Sequence, residues 1–174
     1  SGSGAALDAA SRGLSCALLE RNDFASGTSC RSTKLVHGGV RYLEKAVMKA
    51  DLGQLKLVFE ALQERGTMLL QAPHLCHPLP TLVPCYSWFD LALFWCGMKT
   101  YDLLAAAGRG TIGLSYYVPA AEALRHCPAL ATEVDGAKLR GAVVYYDGQF
   151  DDSRMNVTVA LSAAALGAVV RNHT

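Results

Sequence analysis

The sequence predicts an α/β fold, and three patterns support this. A small-residue segment with helical spacing begins the chain and ends at Gly13. The apolar run that starts at Cys16 indicates a short buried strand ending at Glu20. Near the other end, an alanine-rich helix over 151–165 is followed by a last short strand. Helices and strands therefore alternate, which is typical of a layered α/β domain.

The spacing between Gly2 and Glu20 matches the second half of a dinucleotide-binding unit. In the G-x-G-x-x-G arrangement the last glycine lets the helix pack against the strand, and an acid about 20 positions later binds the ribose. Gly2 and Gly4 supply glycines and Glu20 supplies the acid, although a surface carboxylate is the plainer alternative. The first strand and earlier glycines would precede Ser1, so we expect a fragment or an incomplete gene model.

The segment 26–43, S-G-T-S-C-R-S-T-K-L-V-H-G-G-V-R-Y-L, has a composition that suits an anionic cofactor lying close to the backbone. Short hydroxyls beside backbone amides can bind pyrophosphate, and a helix beginning near Ser26 would add its positive end. Capping would explain one or two such hydroxyls, but not four. These hydroxyls belong to Thr28, Ser29, Ser32 and Thr33.

Four sequence blocks occur in one order along nearly the whole chain. They are L-E-R-N-D-F-A-S-G-T-S-C-R-S-T-K-L-V-H-G-G-V-R-Y-L (19–43), A-P-H-L (72–75), P-L-P (78–80) and Y-Y-D-G-Q-F-D-D-S-R-M-N (145–156). On these blocks the chain resembles the FAD-dependent, quinone-linked glycerol-3-phosphate dehydrogenase family, and its mitochondrial branch more than its bacterial one. The resemblance implies a partial Rossmann-like FAD domain of the glutathione-reductase or D-amino-acid-oxidase type (1–43 and 151–174), with an inserted α+β substrate-side segment (44–150).

The resemblance also implies which residues contact the FAD. They are Gly2, Gly4, Glu20, Arg21, Thr28, Ser29, Ser32, Lys34, Leu35, His37, Gly38 and Gly39. Lys34 would offset phosphate charge or lie near the electron-rich end of the flavin, and a solvated lysine is an equal alternative. The Gly38-Gly39 pair would let the backbone lie against a flat ring. His37 is expected to contact the flavin, with a general-base role as a lesser alternative.

Arg41 and Tyr42 are the main catalytic candidates, together with His37. A guanidinium suits a phosphate or the alkoxide that forms as hydride leaves, and a tyrosine hydroxyl can orient the same oxygen. The resemblance places the arginine of the H-G-G-x-R-Y-L block at the active site. A second polar group, Asp147, Asp151, Asp152 and Arg154, could hold an acid and a base, but helix capping explains it better.

The inserted segment is expected to contain five elements. These are an amphipathic helix over 50–71 stopped by Pro73, an edge strand over 78–86, an apolar helix over 91–107, a short helix over 119–127 and a strand over 139–147. The apolar helix is interrupted by Lys99 and Asp102 and is too short to span a bilayer. We expect a core helix, or one partly facing a membrane, since Trp88, Phe94 and Trp95 suit an interface.

Composition restricts the partners. Hydrophobic residues make up 51% and charged residues 18%, and the net charge of +1 gives no reason to expect nucleic acid. Six cysteines without C-x-x-C spacing disfavour a zinc site and indicate reduced thiols, so no metal is expected.

The resemblance implies oxidation of sn-glycerol 3-phosphate to dihydroxyacetone phosphate, with electrons passing to a quinone. The implied location is the mitochondrial inner membrane, bound peripherally, or a bacterial plasma membrane, and a homodimer is expected. Further phosphate-binding and base residues of the family would lie beyond Thr174. One rival is another FAD-dependent amine or amino-acid oxidoreductase of the same fold. The other is a truncated, inactive chain that binds FAD weakly.

Overall fold

The computed structural model describes residues 1–40, 42–43, 51–108 and 112–174. The helices are α1 (Gly2–Ser11), α2 (Leu52–Gln71), α3 (Trp88–Ala107), α4 (Ala120–His126) and α5 (Asp152–Ala165). The strands are β1 (Ala17–Leu19), β2 (Leu35–Val36), β3 (Cys76–Cys85), β4 (Tyr116–Pro119), β5 (Glu133–Val134), β6 (Ala137–Lys138), β7 (Gly141–Phe150) and β8 (Val169–Arg171).

The chain divides into two units. The first unit comprises Ser1–Leu35 and Phe150–Thr174, and the second comprises Val36–Gln149. The boundaries expected from the sequence fell after 43 and after 150. The His37-Gly38-Gly39 segment therefore belongs to the second unit, whereas the other residues expected to contact the cofactor belong to the first.

The first unit packs helices α1 and α5 through small side chains. Ala6, Ala10, Ala163 and Ala168 form its buried cluster, because alanine allows two helices to approach closely while it favours the helix itself. Strand β1 lies parallel to β8, with Ala17 opposite Val169. A parallel strand pair joined to helices is the α/β arrangement that the sequence predicts.

Two local predictions for this unit are wrong. Strand β1 is not buried: Leu19 is 61% exposed, because β8 is the one hydrogen-bonded neighbour of β1 in the part of the chain described here. The helix expected near Ser26 is only a 3-10 turn over Thr28–Cys30, with no side-chain cap. Hydroxyl side chains compete for backbone hydrogen bonds and disfavour helix interiors, which explains the short turn.

The second unit contains a sheet with the strand order β2-β7-β3, and β4 pairs antiparallel to β7. Its main cluster joins α2, which supplies Val58 and Leu62, to α3, which supplies Tyr101 and Ala105. Helix α2 begins at Asp51, whose carboxylate accepts hydrogen bonds from the first-turn amides. The core of this unit is therefore the α2–α3 contact.

The elements predicted within 44–150 are confirmed to within a few residues. Strand β3 lies at the end of the sheet order, as expected for a proline-containing edge strand. Helix α3 is a core helix on one side only: Met98 and Tyr101 are buried, whereas Trp88 and Phe89 are exposed. Among the helices described, none combines the length and apolar character that crossing a bilayer requires.

Candidate functional site

A cleft of about 480 Å³ lies within the first unit. This volume falls in the range of about 300–1,000 Å³ that is usual for ligand sites. Five of the predicted cofactor residues line it: Gly2, Gly4, Glu20, Ser29 and Ser32. The structure therefore brings together residues from the start of α1, the end of β1 and the hydroxyl-rich segment.

The start of α1 forms one wall of the cleft. The first amides of a helix have no partner within the helix and carry its positive end, so they attract anions. A Cβ atom at Gly4 would meet nothing within 4 Å, and one at Gly2 would lie 3.6 Å from Leu18 Cδ1, an ordinary contact. Packing inside this unit therefore does not require either glycine, which favours the interpretation that they leave room for a ligand.

Glu20 lies where β1 ends. Its backbone amide donates to Arg171 O (2.9 Å), which continues the β1–β8 pairing, and its Oε1 atom accepts from Asn22 N (2.9 Å). These two bonds hold the carboxylate at the cleft. Arg21, the next residue, is exposed and is not among the residues that line the cleft.

Asp152, at the start of α5, organises the hydroxyl-rich segment. Its Oδ2 atom accepts from Ser32 Oγ (2.8 Å), Ser32 N (3.1 Å) and Lys34 Nζ (3.0 Å). Burial alone would raise the pKa of Asp152, but hydrogen bonds from Ser32 and Lys34 lower it to about 2. The carboxylate is 4% exposed and carries its charge at neutral pH.

Lys34 forms an ion pair with Asp152, and neither role expected for Lys34 from the sequence included this pair. Lys34 Nζ also donates to Cys30 O (3.1 Å), so its ammonium group joins the 3-10 turn to α5. Its backbone φ of +59° marks a left-handed residue at the bend before β2. Thr28 and Leu35 are exposed, and neither is among the cleft-lining residues.

Helix α5 contributes residues that the sequence analysis missed. Asn156 lines the cleft, and its Oδ1 atom accepts from Ser3 Oγ (2.7 Å) in α1. Met155 and Val159 also line it. The signal was present: Asn156 lies four residues after Asp152, on the same helix face, within the block that carries the family resemblance.

The polar group 147–154 is divided between the two units. Asp151 accepts from Arg154 N (2.9 Å) and caps α5, so the capping interpretation is confirmed for this residue. Asp152 lies in the first unit at the cleft, whereas Asp147 lies in the second unit and pairs with Arg65 (3.0 Å).

In the second unit, contacts within the protein explain why glycine is needed at positions 38 and 39. A Cβ atom at Gly38 would lie 2.6 Å from Leu62 Cγ and 2.8 Å from Tyr101 Oη. Gly39 has a φ of +74°, and a Cβ there would lie 2.6 Å from Tyr42 Cδ2. A flat ring lying against the backbone is therefore not needed to explain either glycine. His37 and Tyr42 are exposed, and Arg41 lies outside the described residues.

Within the described ranges, no group of three or more His, Cys, Asp or Glu side chains is arranged to hold a metal ion. The six cysteines are free thiols.

The full chain, residues 1–174, matches the sequence family described as FAD dependent oxidoreductase. It is 58% identical over 172 residues to the mitochondrial glycerol-3-phosphate dehydrogenase of Arabidopsis thaliana, covering 99% of this chain and 27% of that protein. It is 54% identical, with 99% and 23% covered, to the mitochondrial glycerol-3-phosphate dehydrogenase of Homo sapiens. The chain thus spans about a quarter of the length of these curated relatives.

A solved structure with a similar name also resembles this chain. The crystal structure of glycerol-3-phosphate dehydrogenase from Bacillus halodurans, complexed with FAD, superimposes with a TM-score of 0.60 at 30% identity. The match covers 98% of this chain and 24% of that one.

Proposed function

The chain belongs to the FAD dependent oxidoreductase family, and from this premise we propose that the protein containing it oxidises sn-glycerol 3-phosphate to dihydroxyacetone phosphate. The substrate is inferred from the 58% identity, over 99% of the chain, to a relative named for that activity. This identity extends through both units, so it includes the substrate-side segment as well as the cofactor cleft.

FAD is the cofactor of the family, and the cleft fits it. The amides at the start of α1 would receive the pyrophosphate, with Ser29 supplying a hydroxyl donor. The Ser32 hydroxyl already donates to Asp152, so Ser32 would contact the cofactor as a wall of the cleft and not as a donor. The Glu20 carboxylate would accept hydrogen bonds from the ribose. When bound, FAD supplies the acceptor for the hydride that leaves the carbinol carbon of the substrate.

We assign the substrate side to the H-G-G-x-R-Y-L block on the strength of sequence resemblance. Arg41 would bind the substrate oxygen that gains negative charge as hydride leaves, and Tyr42 would orient the same oxygen. His37 would contact the flavin, with proton abstraction from the substrate hydroxyl as its second possible role.

The acceptor and the location are further parts of the proposal. We propose a quinone as electron acceptor and a peripheral position on the mitochondrial inner membrane, supported by relatives named mitochondrial. A bacterial plasma membrane is the alternative. A homodimer is proposed from the family resemblance alone.

Reduction of bound flavin tests the substrate directly. A purified protein that contains this chain and has the length of its relatives is loaded with FAD without oxygen. Glycerol 3-phosphate is then added, and the flavin absorbance is followed. We expect bleaching by glycerol 3-phosphate, and none by unphosphorylated glycerol, glycine or proline. Bleaching by glycine or proline alone would replace this proposal with an amine oxidoreductase.

We propose that the 174-residue chain by itself is inactive and binds FAD weakly. The chain spans 27% of the Arabidopsis relative, so most of the length associated with the activity is not in it. Purification of the 174-residue chain with a stoichiometric flavin spectrum would contradict this part of the proposal.

A further inference from the structure

A buried polar network lies in the second unit. It consists of Arg65 on α2, Tyr101 on α3 and Asp147 on β7, each no more than 5% exposed. Arg65 Nη1 lies 3.0 Å from Asp147 Oδ1 and 3.3 Å from Tyr101 Oη, and it also donates to Tyr146 O (3.0 Å). The guanidinium lies over the Tyr101 ring, 5.3 Å from its centroid. Side chains from α2, α3 and β7 therefore meet at the Tyr101 hydroxyl.

The network leads directly to the glycine pair. The backbone amide of Gly38 donates to Tyr101 Oη at 2.8 Å, and Tyr101 Oη donates to Asp147 Oδ1 at 2.9 Å. Because the Tyr101 hydroxyl donates its hydrogen bond to Asp147, a lone pair of Tyr101 is directed at the Gly38 amide. Absence of a side chain at Gly38 is what allows this approach, since a Cβ there would overlap Leu62.

Burial, followed by the charge of Asp147, raises the pKa of Tyr101, so the hydroxyl keeps its proton. A buried ion pair such as Arg65–Asp147 adds little net stability compared with apolar side chains of similar volume. A charged network at this position is better explained by the orientation that it imposes. The group that it orients is the backbone of the His37-Gly38-Gly39 segment.

We propose that Tyr101, oriented by Asp147 and Arg65, is a positioning residue that holds the His37-Gly38-Gly39 backbone in the geometry required for substrate oxidation. This inference rests on the proposed function, in which that segment serves the flavin and the substrate. Tyr101 acts through the Gly38 amide and is not itself a catalytic residue. Loss of its hydroxyl removes the group to which the Gly38 amide donates, whereas the Asp147 carboxylate keeps its bond with Arg65.

The test is Tyr101→Phe in the full-length enzyme. We expect kcat for glycerol 3-phosphate to fall by roughly ten- to a hundred-fold, the scale for small misplacements near a reacting centre. KM and FAD content should change little, and the absorption spectrum of the bound flavin should shift. In the 174-residue chain, amide hydrogen exchange at Gly38 should speed up. The matched control is Tyr86→Phe, which removes a hydroxyl bonded to Ala131 O in the same unit and should leave all five readouts unchanged.

Asp147→Asn covers the case in which Tyr101→Phe does not fold. The amide oxygen can still accept from Tyr101, so kcat should fall less than in Tyr101→Phe, again with KM held. Unchanged kcat and spectrum in the folded variant would overturn the inference, as would a parallel loss of kcat and FAD content. If the unaltered enzyme does not oxidise glycerol 3-phosphate, the proposed function fails instead, and exchange at Gly38 still decides the positioning role.

Discussion

Lys34 Nζ lies 3.0 Å from Asp152 Oδ2, an ion pair between two residues that are 118 positions apart in the chain. Ser32 donates to the same oxygen through its hydroxyl and its amide. Because Ser32 and Asp152 both line the cleft, these bonds determine where the hydroxyl-rich segment meets the start of α5. Their contribution to stability can be measured.

Asp152→Asn should make the stability of the chain less dependent on acid pH. The folded state lowers the pKa of Asp152 from 3.8 to about 2. Its contribution is therefore complete above pH 3.8 and is lost as the pH falls through 2. Thermal unfolding at neutral pH should show Asp152→Asn melting lower than the unaltered chain. The gap between the two should close as the pH falls from 3.8 toward 2.

Asp8→Asn is the control for this experiment. Asp8 pairs with Arg12 on the exposed surface of α1, and exposed pairs contribute little. We expect nearly the same melting temperature as for the unaltered chain at neutral pH. A gap for Asp152→Asn that stays constant across the acid range would show that folding does not lower the pKa of this carboxylate.

Glu20→Ala should weaken FAD binding by about ten- to a hundred-fold, because hydrogen bonds to a charged group contribute about 1.5–3 kcal/mol. Titration with FAD of the FAD-free form of a longer protein that contains this chain, followed by fluorescence quenching, measures the affinity. Glu60→Ala serves as control, since Glu60 is exposed and pairs with Lys56 on α2. Equal affinities for the two variants would remove Glu20 from the cofactor site.

Gly38→Ala should destabilise the second unit by about 1–3 kcal/mol, the usual cost of overpacking. The added methyl group would overlap Leu62 and approach Tyr101 Oη. Gly97→Ala is the matched control: Gly97 lies inside α3, where a Cβ meets nothing within 4 Å. That change should stabilise the helix by up to about 1 kcal/mol. Denaturant unfolding distinguishes the two, and a neutral Gly38→Ala would mean that Leu62 can move aside.

Under the proposed function, Arg41→Ala in a longer protein that contains this chain should lower kcat for glycerol 3-phosphate by about 10²-fold or more, the cost of removing one donor to a developing negative charge. Flavin content should remain near normal, because Arg41 is assigned to the substrate and not to FAD. Arg12→Ala, which removes an exposed arginine directly after α1, should leave kcat unchanged. A rate for Arg41→Ala equal to that of the unaltered enzyme would exclude this residue from the mechanism.

Local sequence patterns predicted the helices and strands well, but they predicted the contact partners of individual residues less well. Asp51 and Asp151 each begin a helix because a short carboxylate satisfies the first amides, and such capping depends only on neighbouring residues. The roles of Lys34 and Gly38 depend on Asp152 and on Tyr101 and Leu62, which are distant in the chain. No pattern around Lys34 or Gly38 contains that information.

The sequence by itself determined the family, the alternation of helices and strands, and the proximity of Gly2, Gly4 and Glu20, since these depend on short-range spacing. Only the tertiary structure decided that Asp152 and Asn156 complete the cleft, and that Tyr101, bonded to Arg65 and Asp147, accepts a hydrogen bond from Gly38. The physical reason is that hydrogen bonds and close contacts depend on distance in space. A buried polar group takes whichever partner the fold brings within about 3 Å.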